Sequence, residues 1–121
     1  MKKEIVLGLA TMDAGLAMPG ASFQNLMRTR AHYDRVIAVD GALTEEGKKI
    51  YKEYDVEYID SPWVGSLKIQ YEKLLAKLNT GDLWVMLDDD EYPSESLLRL
   101  LPTLLHDTRY SYFSSPRVTA F

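Results

Sequence analysis

Cysteine is absent from this chain. Its absence excludes a disulfide framework, a thiolate zinc site and a cysteine nucleophile. An excess of positive charge is also missing: 14 Lys+Arg stand against 18 Asp+Glu, for a formal net charge of -4. A nucleic-acid binder needs a basic stripe to neutralise phosphates, so no nucleic-acid partner is expected. Long apolar runs are lacking as well. Nothing approaches the roughly 18 unbroken apolar residues of a membrane span, and none is expected. No repeat, low-complexity tract or Pro/Gly-rich linker interrupts the sequence. Lys2 and Lys3 before the apolar run Ile5 to Met12 look superficially like a signal peptide. Glu4 and Asp13 bracket that run, which barely reaches the length of an h-region, so a first core strand and a cytoplasmic location are expected.

What remains is an ordinary globular composition. With 121 residues, 46% of them apolar and 26% charged, the chain is expected to form one domain with its own core. Strand and helix patterns alternate along it. Ile5 to Thr11 reads as a buried strand, Val36 to Val39 as a second, Val56 to Ile59 as a third and shorter one, and Leu83 to Leu87 as the fourth and most apolar. Ser22, Thr44, Ser66 and Ser94 read as the starts or caps of four intervening helices. The third helix is expected to bury Leu67, Tyr71, Leu74, Leu75 and Leu78 on one face. Pro102 is expected to kink or end the fourth. Tyr110 to Phe113 reads as a fifth strand, and the tail Val118 to Phe121 as strand-like apolar surface that a homo-oligomer or partner chain would cover. The alternation predicts an α/β fold, a mostly parallel sheet with helices on both faces.

Ligands of such sheets bind outside the carboxyl ends of the strands. Those ends are acidic here: Asp13, Asp40, Asp60 and then the run Asp88-Asp89-Asp90-Glu91 follow the four strands. Asp60, beside Ser61-Pro62, reads as turn chemistry, and Asp13 reads equally as a turn or a site residue. The run is different. Carboxylates about 5 Å apart repel by only ~0.8 kcal/mol in water, but by several times that in a partly buried cleft. A divalent cation is an economical compensation, since Mg²⁺ and Mn²⁺ accept carboxylate and phosphate oxygens. Alternate residues of an extended chain face one way, so Asp88 and Asp90 can share one ion. A solvated acidic turn that caps the next helix is the alternative. Gly15 to Ser22 also has P-loop glycine spacing before a helix, but Ala21 stands where the P-loop lysine belongs. A degenerate P-loop nucleotide hydrolase is therefore a second reading, and a non-catalytic binding module a third.

Three stretches carry a resemblance. They are Arg35-Val36-Ile37-Ala38-Val39-Asp40-Gly41, the segment Thr44 to Ile59, and Gly81-Asp82-Leu83-Trp84-Val85-Met86-Leu87-Asp88-Asp89-Asp90-Glu91 with Tyr92-Pro93-Ser94. Together they resemble family 2 glycosyltransferases over roughly residues 33 to 105. The resemblance implies a GT-A fold, a Rossmann-like domain that binds a nucleotide-sugar donor with Mn²⁺ or Mg²⁺. It implies Asp40 at the nucleotide base, Asp88 near ribose or metal, and Asp90 as the direct metal ligand. Thr11 lies where the family's first strand opens the nucleotide pocket, and Asp89 and Glu91 flank the metal ligands. Lys68 and Gln70 are the candidates for the polar or basic residues that the family carries on the helix before the signature. The family's acceptor half and catalytic base lie beyond the stretch that matches, and no residue here corresponds to the base. Trp63 reads equally as core or as a platform for a sugar or base.

Overall fold

The computed structural model describes residues 3–16, 22–77, 79, 81–88 and 93–106. Four strands and four helices alternate: β1 (Ile5–Thr11), α1 (Ser22–Met27), β2 (Arg35–Asp40), α2 (Glu45–Glu53), β3 (Glu57–Asp60), α3 (Leu67–Leu75), β4 (Leu83–Asp88) and α4 (Glu95–Leu105). A single 3-10 turn, Arg30–His32, precedes β2. The strands form one sheet in the order β3-β2-β1-β4, and every pairing is parallel. The expected α/β fold is therefore present, in a Rossmann-like arrangement. The expected strand at Tyr110 to Phe113 and the tail beyond it lie outside the described residues.

Alternation along the strands divides the core into two layers. Ile5, Leu7 and Leu9 of β1, with Val36 and Ala38 of β2, face α1, α2 and α4. Phe23, Leu26, Tyr51, Leu98 and Leu101 of those helices meet them there. Val6, Ile37 and Val39 face the opposite way, against Leu74 of α3. Both faces of β1 and β2 are thus covered, as continuous apolar runs require. Helix starts follow the capping chemistry legible in the sequence. The Thr44 hydroxyl accepts from the Gly47 N–H at 3.3 Å, and the Ser94 hydroxyl from the Leu97 N–H at 3.1 Å. Ser66 occupies the same position before α3 without a side-chain bond to the helix. Pro102 does not end α4, which continues to Leu105.

The buried face of α3 departs from the expected stripe. Leu74 is buried and Tyr71 partly so, whereas Leu67 and Leu75 are exposed. Gln70 takes the second buried position of the helix. It can do so because both ends of its amide are satisfied. Its Oε1 accepts from the Ser61 hydroxyl at 2.6 Å and its Nε2 donates to the Ser61 carbonyl at 2.8 Å. A partnered polar side chain outcompetes a leucine for that face when the alternative leaves Ser61 unsatisfied.

On the α3 side of the sheet the Trp84 indole lies across β1. A Cβ built on Gly8 would stand 2.8 Å from Trp84 Cζ2 and 3.0 Å from Met86 Sδ. The Trp84 Nε1–H is directed at that same sulfur. Gly8 is therefore a strand glycine required by close approach of a ring. Gly8→Ala is expected to destabilise the protein by about 1–3 kcal/mol through overpacking. The penalty should shrink in a Trp84→Leu background, which a double-mutant cycle by urea denaturation would measure.

Candidate functional site

The strand register assembles one row of residues at the carboxyl edge of the sheet. Thr11 pairs with Asp40 and Asp40 with Asp60 in that row, while Asp88 ends β4 one position back, level with Ala10. Chain direction across the sheet reverses at β1, because β2 and β3 lie on one side of it and β4 on the other. That is the topological switch point where open α/β sheets bind ligands. Thr11, Asp40 and Asp88, selected from sequence as nucleotide-site residues, all end strands that meet around this point.

Asp40 is the organising residue of the row. It is fully buried. Its Oδ1 accepts from the Asp13 N–H at 2.8 Å and the Ala42 N–H at 2.9 Å. Its Oδ2 accepts from the Ala14 N–H at 2.9 Å and from the Tyr51 hydroxyl. The residue that the resemblance places at a nucleotide base is held within the chain's own hydrogen bonds. Both oxygens are committed to the chain's own donors, and Asp40 acts on the edge through the backbone it holds.

That backbone is strained. Asp13, Ala14 and Gly15 have φ of 55°, 51° and 80° in succession. Left-handed conformations cost residues other than glycine roughly 1–2 kcal/mol each. Two of these three residues donate their N–H groups to Asp40, which repays the strain with charge-assisted bonds. The turn is closed locally by Gly15 N–H to Met12 C=O at 3.1 Å and Leu16 N–H to Asp13 C=O at 2.9 Å. The Asp13 carboxylate then caps the start of α2, accepting from the Thr44 N–H and hydroxyl, each at 2.8 Å. A negative group suits the positive end of that helix. A Cβ on Gly47 would collide with the Asp13 carboxylate, so glycine in the first turn of α2 is what admits it.

Tyr51 completes the buried network. Its ring stacks on Tyr58 at 5.4 Å and meets Phe23 edge-on at 5.8 Å. Its hydroxyl is interior, donating to Asp40 Oδ2. Burial and the bond to Asp40 push its phenol far above the usual tyrosine range. A second polar network, invisible in sequence, joins β3 to α3. Lys73 Nζ donates to the Ser61 hydroxyl at 2.7 Å, and that hydroxyl donates to Gln70. Only the neighbouring order Asp60-Ser61-Pro62 marked this place, and it read as a turn.

The remaining sequence candidates are divided. Asp89, Asp90 and Glu91 lie outside the described residues, as does the central part of the Gly15 to Ser22 segment. Lys68 is exposed and pairs with Glu72 at 3.9 Å, while Gln70 is turned inward. His32 and His106 are exposed. Among the described residues no group of three or more His, Asp or Glu gathers as a metal site. No helix among them is long and apolar enough to cross a membrane. Comparison of the sequence with protein-family models finds no match, and comparison with curated proteins finds none.

Two outcomes follow from the buried network. Asp40→Asn places an NH₂ group where backbone donors point, and should destabilise the fold by about 3 kcal/mol in chemical denaturation. The second concerns alkaline pH. With the Tyr51 phenol raised in the folded state, its contribution is fully present below the ordinary tyrosine value of about 10. Above it the unfolded chain loses the proton that the folded chain keeps, so stability falls by about 1.4 kcal/mol per pH unit for this group. Denaturation midpoints between pH 9 and 11 should show that decline, and Tyr51→Phe should remove this component.

Proposed function

We propose that the chain binds a nucleotide-diphosphate sugar at the carboxyl edge of its sheet, with Mn²⁺ or Mg²⁺, and acts in sugar transfer as a glycosyltransferase. The observation that carries this reading is that Thr11, Asp40 and Asp88 end three adjacent parallel strands around the β1/β4 switch point, beside a loop strained into left-handed geometry. Strain of that kind persists where the surrounding structure over-determines it, and it clusters at ligand sites. The order of the three sequence stretches supports the same reading.

The acidic run begins where β4 reaches this edge. Its donors are carboxylate oxygens alone, a set that suits a hard cation and not a soft one. Asp88 and Asp90 are the residues that would hold it, with Asp89 and Glu91 beside them. When bound, the cation supplies positive charge against the charge that develops on the leaving diphosphate. Thr11 ends β1 at this edge, paired with Asp40 of β2. Asp40 fixes the Met12 to Gly15 turn, so the edge is shaped before the donor arrives. In transfer, the bond from the anomeric carbon to the diphosphate oxygen breaks, the diphosphate leaves with that electron pair, and a bond to the acceptor oxygen forms as the hydroxyl's proton passes to solvent.

Calorimetry tests this. Mn²⁺ should bind the protein and strengthen binding of a nucleoside diphosphate. Asp90→Asn should weaken Mn²⁺ binding by about tenfold or more while circular dichroism stays unchanged. Equal Mn²⁺ binding by both proteins would remove Asp90 from the site. A preference for ATP over nucleotide-sugars would instead favour the hydrolase reading.

A further inference from the structure

We infer that Trp63 is the platform on which the donor's nucleobase stacks, an assignment that rests on the donor-site reading above. The fold fixes the root of this side chain and leaves its ring open. Past the end of β3 the chain keeps pairing with β2. Ser61 N–H donates to the Asp40 carbonyl and Trp63 N–H to the Gly41 carbonyl, each at 2.9 Å. A Cβ built on Gly41 would lie 3.0 Å from Trp63 Cβ and 2.7 Å from Met12 Sδ. The absent side chain of Gly41 is therefore what lets the Met12 sulfur and the Trp63 root close over the backbone. Below them Gln70 is buried and locked to Ser61.

Trp63 as a whole remains 43% exposed. Open space continues beside it in sequence: Val64 is exposed, and nothing lies within 4 Å of a Cβ built on Gly65. Tryptophan carries the largest apolar surface of any side chain, and its partial exposure from a fixed root is the geometry of a stacking surface. Its place selects the ligand. Met12 and Gly41 directly follow Thr11 and Asp40 in the row at the switch point, so Trp63 flanks the β1–β2 side of the same edge. Asp88, the first residue of the acidic run, ends β4 on the other side of β1. A nucleoside diphosphate has that same polarity, with an aromatic ring at one end and phosphates that need cationic charge at the other. Since Asp40 offers no free oxygen to a base edge, stacking is the contact left for recognition on the β2 side. Every nucleobase has a π-face, so the platform confers affinity with little choice between bases.

The test measures binding of UDP, GDP and inorganic pyrophosphate in the presence of Mn²⁺, by calorimetry and by quenching of tryptophan fluorescence. Trp63→Ala should weaken both nucleoside diphosphates by about 5- to 100-fold, the range for losing one base–aromatic stack, and leave pyrophosphate unchanged. Trp63→Phe should retain most of the affinity and lose most of the quenching. Unaltered nucleotide binding by Trp63→Ala overturns the platform while the donor site stands. Equal weakening of pyrophosphate also overturns it, because the effect would then be structural. Failure of the unsubstituted protein to bind either nucleotide defeats the donor-site reading and this inference with it.

Discussion

Four hydrogen bonds to one buried carboxylate hold the carboxyl edge of this domain together. Asp40 gathers Asp13, Ala14, Ala42 and Tyr51, which come from the loop after β1, the loop after β2 and the middle of α2. A charge in the interior is tolerable only when its oxygens are paired, and here they are paired almost entirely with backbone N–H groups. The arrangement works in both directions. The carboxylate satisfies donors that a left-handed turn would otherwise strand, and those donors stabilise the carboxylate in a place without water.

From that point the edge is built outward. Asp13, held by its own N–H, turns its carboxylate to the start of α2. Gly41, next to Asp40, brings Met12 and Trp63 together. Ser61, whose N–H donates to the Asp40 carbonyl, carries Gln70 and Lys73 on its hydroxyl. On the opposite side of the molecule the bonds are simpler: Arg35 and Glu57 form a two-pronged pair across β2 and β3, with each contact at 2.8 Å. That pair is partly exposed and contributes little to stability, although it draws the Glu57 carboxyl below its ordinary range.

Much of the fold was legible because its signals are periodic. Apolar runs bounded by acids predicted each of the four strands to within a residue or so of its ends, and Thr44 and Ser94 marked their helices by chemistry that the structure repeats. The α3 stripe was misread for a physical reason. Leucine spacing reports which faces are apolar, but Gln70 was buried by a partner supplied from β3, and single-residue hydropathy contains nothing about partners. The site divides the same way. Strand-end acids identified the edge, since Asp40 and Asp88 end the strands on either side of β1. They did not distinguish an acid that faces a ligand from one that holds a backbone. That distinction depends on Tyr51, Asp13 and Ala14, whose approach to Asp40 is a product of packing. Trp63 was undecided in sequence because exposure of an aromatic ring depends on Gly41 and Met12, neither of which is near it in the chain.

Close approaches at three glycines have an evolutionary corollary. Gly8 is shaped to the Trp84 ring, Gly41 to Met12 and Trp63, and Gly47 to the Asp13 carboxylate. In each case the glycine is acceptable to drift only if a distant partner changes first. A smaller residue at position 84 would license alanine at position 8, and a residue without a carboxylate at position 13 would license alanine at position 47. Substitution at these sites is thus conditional on history, and lineages that lose a large partner can keep the same backbone under a different set of letters. Such epistatic pairs let a sheet edge retain its geometry while its sequence moves far from where it began.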